Sequence, residues 1–134
     1  MNLDILKIAS DTENHGVINN CTHHSKLKNP ICGDEMEIFL IIKNDTIEKF
    51  KYQCKSCVYC QASISLLSKK MVKKKIELIK NFLTKAEFFF GTNKKLIEKD
   101  WKDFEIIMNK NNIARKECLL LPIKVLQMAL ENKK

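Results

Sequence analysis

Three cysteines, Cys54, Cys57 and Cys60, recur at a spacing of three residues where the sequence pattern changes from strand to helix. Residues 47–54 alternate between apolar and polar side chains, which is typical of a half-buried strand. Residues 62–72 instead return apolar side chains to one face at a helical period. Half of the chain's six cysteines therefore lie within seven residues of a strand-to-helix junction. Such clustering is typical of metal or sulfur chemistry rather than of core packing.

The length and composition indicate a single domain over residues 1–134. A chain of this length can bury one core but is short for two. Apolar residues make up 45% of it, with only three Gly and two Pro, which excludes disordered and collagen-like chains. The first residues lack the basic and apolar regions of a signal peptide, and no apolar run approaches the roughly 20 residues of a membrane span. We therefore expect a soluble, cytoplasmic protein with no membrane partner.

The expected cytoplasmic location determines how the cysteines are interpreted. Reducing conditions keep disulfides rare, so clustered thiols indicate a metal-binding or catalytic site. The net charge of +8 raises the alternative of nucleic-acid binding. However, Arg115 is the only Arg among 24 basic residues, whereas contacts to bases and phosphates favour the planar guanidinium group. We interpret the lysines as a solvated surface and do not expect a nucleic-acid partner.

The apolar pattern predicts an α+β domain in which a small sheet is followed by helices. A short amphipathic helix is expected over residues 3–9. Residues 16–27 suggest a first, irregular strand. Residues 35–43 and 47–54 are typical of two strands joined by a turn at residues 44–45, which predicts an antiparallel hairpin.

Helical periodicity dominates the rest of the chain. We predict helices over residues 62–72, 76–90 and 94–108, and a last helix that starts near Cys118. Gly91 would end the second of these helices as its C′ residue, because glycine readily adopts the left-handed backbone of that position. Pro122 would lie in the first turn of the last helix, where a missing N–H costs no helical hydrogen bond.

Four residues at the ends of the predicted elements could share one site: Cys32, Asp34, Cys57 and Cys118. The first two lie in a loop, punctuated by proline and glycine, that leads into the hairpin. Cys57 and Cys118 begin helices, where free backbone N–H groups and the helix dipole favour thiolates. Three thiolates and one carboxylate would complete a tetrahedral zinc shell, or leave a displaceable ligand for an iron–sulfur cluster.

Four stretches of the chain resemble the iron–sulfur cluster assembly scaffolds of the IscU, SufU and NifU N-terminal kind. They are Asn29-Pro30-Ile31-Cys32-Gly33-Asp34, Ser56-Cys57, Gln61-Ala62-Ser63-Ile64-Ser65 and Ala114-Arg115-Lys116-Glu117-Cys118. In their order and spacing, these stretches extend the resemblance over most of the chain from Asn29 to Leu130. The resemblance implies a three-stranded antiparallel sheet packed with helices. It also implies that the family's metal ligands correspond to Cys32, Asp34, Cys57 and Cys118.

The chain departs from the IscU type at the third cysteine of this set. The IscU type has a His immediately before that cysteine, and this chain has Glu117 there. Glu117 could substitute as a ligand, although its charge would disfavour a neighbouring thiolate. The chain also lacks the Leu-Pro-Pro-Val-Lys motif that chaperones recognise in the IscU type. The long stretch between Cys57 and Cys118, together with Arg115, resembles the SufU type, so the SufU-like branch is the nearest.

The resemblance implies a scaffold or sulfur carrier rather than a conventional enzyme. Such a protein receives persulfide sulfur from a cysteine desulfurase, with Cys118 or Cys57 as the acceptor, and supplies downstream iron–sulfur carriers or apo-proteins. The four ligand residues would hold zinc, or a transient [2Fe-2S] cluster that Asp34 keeps labile. The alternative is a zinc-structured binding module without sulfur transfer, which would contact nucleic acid through its lysines.

The remaining cysteines and the histidines have alternative roles. Cys54 ends a strand and is interpreted as a packing residue. Cys60 lies one helical turn beyond Cys57, so it is either an auxiliary thiol or a packing residue. Cys21, His23 and His24 could bind a second metal or replace the missing His ligand, whereas histidines on an exposed polar strand are more often ordinary surface residues.

Overall fold

Three antiparallel strands form one sheet in the computed structural model, which describes residues 3–92 and 99–134. The strands are, in order across the sheet, β1 (His23–Lys28), β2 (Glu35–Lys43) and β3 (Thr46–Lys55). Asn44 and Asp45 join β2 to β3 with positive φ angles of 52° and 61°. Two-residue turns of this kind match the twist of a hairpin, and Asn and Asp tolerate the left-handed backbone. The predicted hairpin is confirmed.

The described residues form four α-helices: α1 (Leu3–Ala9), α2 (Val58–Lys70), α3 (Ile76–Phe88) and α4 (Lys116–Glu131). Short 3₁₀ segments occupy Phe89–Gly91, Lys99–Ile106 and Lys110–Arg115. Helix α4 packs on β1 and β2, and α2 packs on β3 and α4. Helix α1 lies against α2, and α3 lies against α4. No helix within the described ranges is long and apolar enough to cross a membrane. The predicted α+β fold class is confirmed.

The first strand is shorter than the predicted residues 16–27. It begins at His23, and the preceding segment forms an isolated bridge beside β3. The Gly16 N–H donates to the Tyr52 carbonyl at 2.8 Å, and the Tyr52 N–H donates to the Asn14 carbonyl at 3.2 Å. Because this polar segment offers no alternating apolar face, nothing holds a longer strand ladder in register.

Helix α2 is buried nearly all round, which the one-sided apolar pattern did not predict. Residues 62–68 are all buried, and three of them are serines. The hydroxyls of Ser63, Ser65 and Ser68 donate to carbonyl groups at 2.7–2.9 Å. Small side chains with internal hydrogen-bond partners can face the interior, so α2 becomes the central helix of the domain.

The end of α3 corrects the prediction for Gly91. The helix ends at Phe88, and Gly91 belongs to the 3₁₀ turn that follows it. Among the described residues, the glycines with positive φ are Gly16 and Gly33. Gly91 is therefore not a left-handed C′ residue, because the chain tightens into a 3₁₀ turn instead of reversing.

The predicted helix over residues 94–108 lies partly outside the described residues. Its described part is a 3₁₀ segment with a non-helical backbone at Trp101. The rings of Trp101 and Phe104 both lie 4.6 Å from the Phe82 ring of α3, centroid to centroid. Aromatic packing against α3 therefore outweighs the local preference for a regular α-helix.

Helix α4 begins at Lys116, with Arg115 as its N-cap, so Cys118 is its third residue. Pro122 is the seventh residue and not part of the first turn, which corrects the prediction. It has no N–H to donate to the Cys118 carbonyl four residues earlier. The helix continues past this missing hydrogen bond because ten of its sixteen residues are buried in the core.

Candidate metal and sulfur site

A tight loop between β1 and β2 presents two of the predicted ligands, Cys32 and Asp34. The buried Asn29 organises this loop. Its side-chain oxygen accepts a hydrogen bond from the Ile31 N–H at 2.9 Å, and its backbone carbonyl accepts one from the Gly33 N–H at 2.8 Å. Gly33 has a φ of +77°, which favours glycine because other residues are strained there. The loop conformation is therefore set by its own residue types.

Cys118 of α4 lies next to this loop. The sulfurs of Cys32 and Cys118 and a carboxylate oxygen of Asp34 all lie within 4.8 Å of one another. Cys32 is exposed, whereas Asp34 and Cys118 are only 9% and 8% exposed, so the group opens to solvent on the Cys32 side. Two thiolates and a carboxylate suit zinc or iron, and three protein ligands would leave a fourth tetrahedral position open.

Cys57 lies beside this group of donors and not within it. It is the N-cap of α2, and its backbone N–H donates to an Asp34 carboxylate oxygen at 3.5 Å. Its thiol raises the pKa of Cys118, but its sulfur is not among the atoms that lie mutually within 4.8 Å. The structure thus brings three of the four predicted ligands together and holds the fourth next to them.

The electrostatics of the site favour a bound proton or cation. The pKa of Cys118 is raised to about 12, mainly by burial and then by the neighbouring Cys57 thiol. The negative charges of Cys57, Asp34 and Cys32 contribute to the same increase. Several acidic groups in so small a space cannot all ionise unless positive charge compensates them. A divalent cation would supply that charge and hold the thiols as thiolates.

Cys54 and Cys60 flank Cys57 in the sequence, each three residues away. Cys60 is fully buried in the first turn of α2, and burial raises the pKa of its thiol. Cys54 is half-buried and packs against the core, and burial raises its pKa as well. The neighbouring Ser56 hydroxyl lowers both pKa values, which offsets part of the increase. The packing of Cys54 agrees with its interpretation as a core residue.

The residues around the start of β1 have partners of their own. Cys21 is buried. The His23 ring nitrogen lies 2.8 Å from the Thr22 hydroxyl, and burial lowers the pKa of His23. The His24 imidazole lies 2.6 Å from a Glu37 carboxylate oxygen. Within residues 3–92 and 99–134, none of them belongs to a group of three metal donors, so a second metal site here finds no support.

Glu117 is exposed and outside the donor group. It lines a groove of about 240 Å³ together with Pro30, Ile31 and Lys124. The substitution of Glu117 for a missing histidine ligand therefore finds no support in the described structure.

One contact near the site was not predicted from the sequence. The Arg115 guanidinium lies over the Tyr59 ring, 5.3 Å from its centroid. Tyr59 is in the first turn of α2 and Arg115 caps α4, so the contact joins the starts of the two cysteine-bearing helices. The sequence signals were an aromatic residue between Cys57 and Cys60 and the chain's only arginine.

The chain is similar in sequence to known proteins. Residues 2–92 match the family model of the NifU-like N terminal domain. The chain is 28% identical over 128 residues to the iron-sulfur cluster assembly scaffold protein IscU of Thermotoga maritima. That alignment covers 95% of this chain and 89% of the relative.

Two solved structures share the fold. An N-terminal NifU-like protein from Brucella abortus has a TM-score of 0.88 at 18% identity, with 97% of this chain and 91% of that one covered. A putative iron-sulfur cluster assembly scaffold protein for the SUF system from Fervidobacterium islandicum has a TM-score of 0.83 at 25% identity, with 97% and 96% covered. Because the family model matches well over half of this chain's residues, the chain belongs to the NifU-like N-terminal domain family.

Proposed function

We propose that this protein is a scaffold for iron–sulfur cluster assembly. Its family membership and its similarity to scaffold proteins of the IscU and SUF kinds support this function. The observation that carries it is the convergence of Cys32, Asp34 and Cys118 from distant parts of the chain. A scaffold must hold metal and then release it. A solvent-accessible group with one hard carboxylate among soft thiolates meets both needs.

The metal would be bound by Cys32, Asp34 and Cys118, with Cys57 close enough to complete the shell after a small shift. The donor set fits zinc, and it equally fits the irons of a nascent [2Fe-2S] cluster. Asp34 is the ligand that exchanges most readily, because thiolates are the preferred ligands of both metals.

Sulfur would arrive as a persulfide from a cysteine desulfurase, with Cys57 or Cys118 as the acceptor. The acceptor thiolate attacks the outer sulfur of the donor's persulfide, a new S–S bond forms, and the donor cysteine leaves as a thiolate. Cys57 is partly exposed and lies outside the donor group, whereas Cys118 is 8% exposed and within it. Cys57 is therefore the more accessible acceptor. Downstream iron–sulfur carriers or apo-proteins would receive the product.

Metal content tests the proposed ligands. Protein purified without oxygen or chelators should bind zinc or iron, and Cys32→Ser and Cys118→Ser should weaken that binding by at least about tenfold in competition with a chelator. Cys21→Ser is the matched control, because Cys21 is a buried cysteine outside the site. Full metal retention by the two ligand variants would contradict the assignment.

Sulfur transfer tests the acceptor role. The protein should gain a persulfide, detected by mass spectrometry, when it is mixed with a cysteine desulfurase and cysteine. It should also accelerate desulfurase turnover. If neither occurs, the zinc-structured module without sulfur transfer becomes the better interpretation. The exposed Cys32 already argues against that module, since structural zinc sites are closed.

A further inference from the structure

Cys57 and Cys60 form a C-x-x-C pair at the start of α2. Cys57 is the N-cap, with extended backbone angles of φ −72° and ψ 168°, and Cys60 is the third helical residue. In a capping box the N-cap side chain reaches the backbone N–H of the third helical residue, and that residue's side chain reaches back to the N-cap backbone, so the two side chains lie on the same side of the first turn. A side-chain movement can then bring the two Cβ atoms to the roughly 4 Å of a disulfide. Thiol–disulfide oxidoreductases place their C-x-x-C pairs at a helix start in the same way.

The two thiols differ in their access to solvent. Cys57 is partly exposed, and its side chain makes no capping hydrogen bond within α2. Cys60 is 0% exposed. An external sulfur donor can therefore reach Cys57 but not Cys60, whereas Cys60 can reach Cys57 from inside the protein.

Cluster assembly needs electrons as well as sulfur. A persulfide carries its outer sulfur formally as S⁰, whereas the bridging atoms of a cluster are sulfide, so each sulfur must gain two electrons. A dithiol that becomes a disulfide releases two electrons.

We propose that Cys60 is the resolving thiol for a persulfide on Cys57. This inference rests on the proposed function, in which Cys57 accepts a persulfide. The Cys60 sulfur attacks the inner persulfide sulfur, and a Cys57–Cys60 disulfide forms. The bond between the inner and outer sulfurs breaks, and the outer sulfur leaves as hydrosulfide with the Cys60 proton. Two cysteine thiols are thereby oxidised to one disulfide, and one sulfur is reduced from S⁰ to sulfide. A small dithiol then reduces the disulfide by exchange.

The position of Cys57 suits this step. Its backbone N–H donates to an Asp34 carboxylate oxygen at 3.5 Å, so hydrosulfide is released beside the metal donors. Cys57 lies outside the group of Cys32, Asp34 and Cys118, so those residues can hold metal while Cys57 is in a disulfide. Cys54 is a poorer partner for Cys57, because it lies in the extended strand β3.

Chemical loading tests the inference independently of any desulfurase. The full chain is treated with inorganic polysulfide under argon, freed of small molecules, and followed for hydrosulfide release and for disulfides by peptide mass spectrometry. The wild type should release about one hydrosulfide per persulfide and gain a Cys57–Cys60 disulfide. Cys60→Ser and Cys60→Ala should keep the persulfide and release hydrosulfide at least about tenfold more slowly. Cys54→Ser is the matched control and should behave as wild type.

Equal release by wild type and both Cys60 variants would overturn the inference, as would a disulfide from Cys57 to Cys54 or Cys118. Oxidation of the full chain by diamide, with and without added zinc, gives a second readout. It should produce the Cys57–Cys60 disulfide in the metal-free protein, and its absence there would also overturn the inference, whereas zinc should slow the oxidation if Cys57 completes the metal shell. Failure of the desulfurase experiment alone would instead remove the proposed function, because polysulfide loading and diamide need no desulfurase.

Discussion

The buried Ser63 hydroxyl of α2 donates a 2.9 Å hydrogen bond to the Leu119 carbonyl of α4, one residue after Cys118. Close by, Pro122 leaves the Cys118 carbonyl without its helical donor. The hydroxyl therefore ties the central helix to the first turn of α4, where the helical hydrogen bonding is weakened. The position of Cys118 relative to Cys57 depends on this contact between the two helices.

Replacement of Ser63 by Ala should lower the free energy of unfolding by about 1–2 kcal/mol, because a buried hydrogen bond is lost. Urea unfolding of the metal-free protein measures the change. Thr84→Ala is the control, since its hydroxyl bonds a helix carbonyl at 3.0 Å but is exposed. That change should stay within about 0.5 kcal/mol of wild type. Equal effects of the two substitutions would show that the Ser63 contact is not important for stability.

Gly33→Ala should destabilise the ligand loop through its backbone alone. A Cβ at Gly33 would meet nothing within 4 Å, but the φ of +77° is strained for alanine. We expect a loss of about 1 kcal/mol in unfolding free energy and weaker zinc binding, because Cys32 and Asp34 flank the glycine. Gly91→Ala is a matched control, since its Cβ also meets nothing within 4 Å and its φ is not positive. Zinc affinity unchanged in Gly33→Ala would contradict the role of this turn.

The stacking of Arg115 on Tyr59 should contribute about 0.5–1 kcal/mol of coupling energy. A double-mutant cycle of Arg115→Met and Tyr59→Leu, followed by urea unfolding, measures it directly. Arg115→Lys should retain part of the coupling, because an ammonium group also binds an aromatic face. Additive effects of the two substitutions would mean that the 5.3 Å contact contributes nothing measurable.

The stability of the metal-free protein should decrease as the pH rises from 9 towards about 12. Burial and the neighbouring acidic groups raise the pKa of Cys118 from 9.0 to about 12. The folded protein therefore retains a proton that the unfolded chain releases, and this contribution is complete below pH 9 and lost at higher pH. Across this pH range, urea unfolding should show a smaller loss of unfolding free energy for Cys118→Ser than for wild type.

Tyr52 requires a separate control in the same pH range. Burial raises its pKa from 10.0 to about 12, so it adds to the loss of stability above pH 10. Tyr52→Phe should remove the loss of stability due to Tyr52 and keep the loss due to Cys118. If wild type and Cys118→Ser lose stability in parallel, the elevated pKa of Cys118 is contradicted.

Local sequence pattern was sufficient for the elements whose cause is local. The hairpin follows from alternating strands and an Asn-Asp turn, and α1 follows from its apolar period. The pattern failed where packing outweighs propensity. Trp101 leaves the helical backbone to pack on Phe82. Ser63 and Ser65 of α2 face the interior because carbonyl groups elsewhere in the fold accept hydrogen bonds from their hydroxyls.

By itself, the sequence determined the α+β class, the family resemblance and the residue types that could bind metal, because these depend on composition, period and motif. Only the tertiary structure decided which of those residues meet. It placed Cys32, Asp34 and Cys118 within 4.8 Å of one another, set Cys57 beside them, and buried Cys60 in the core. Distances between residues far apart in the chain are set by the packing of α2 and α4 against the sheet. No local sequence pattern predicts that packing.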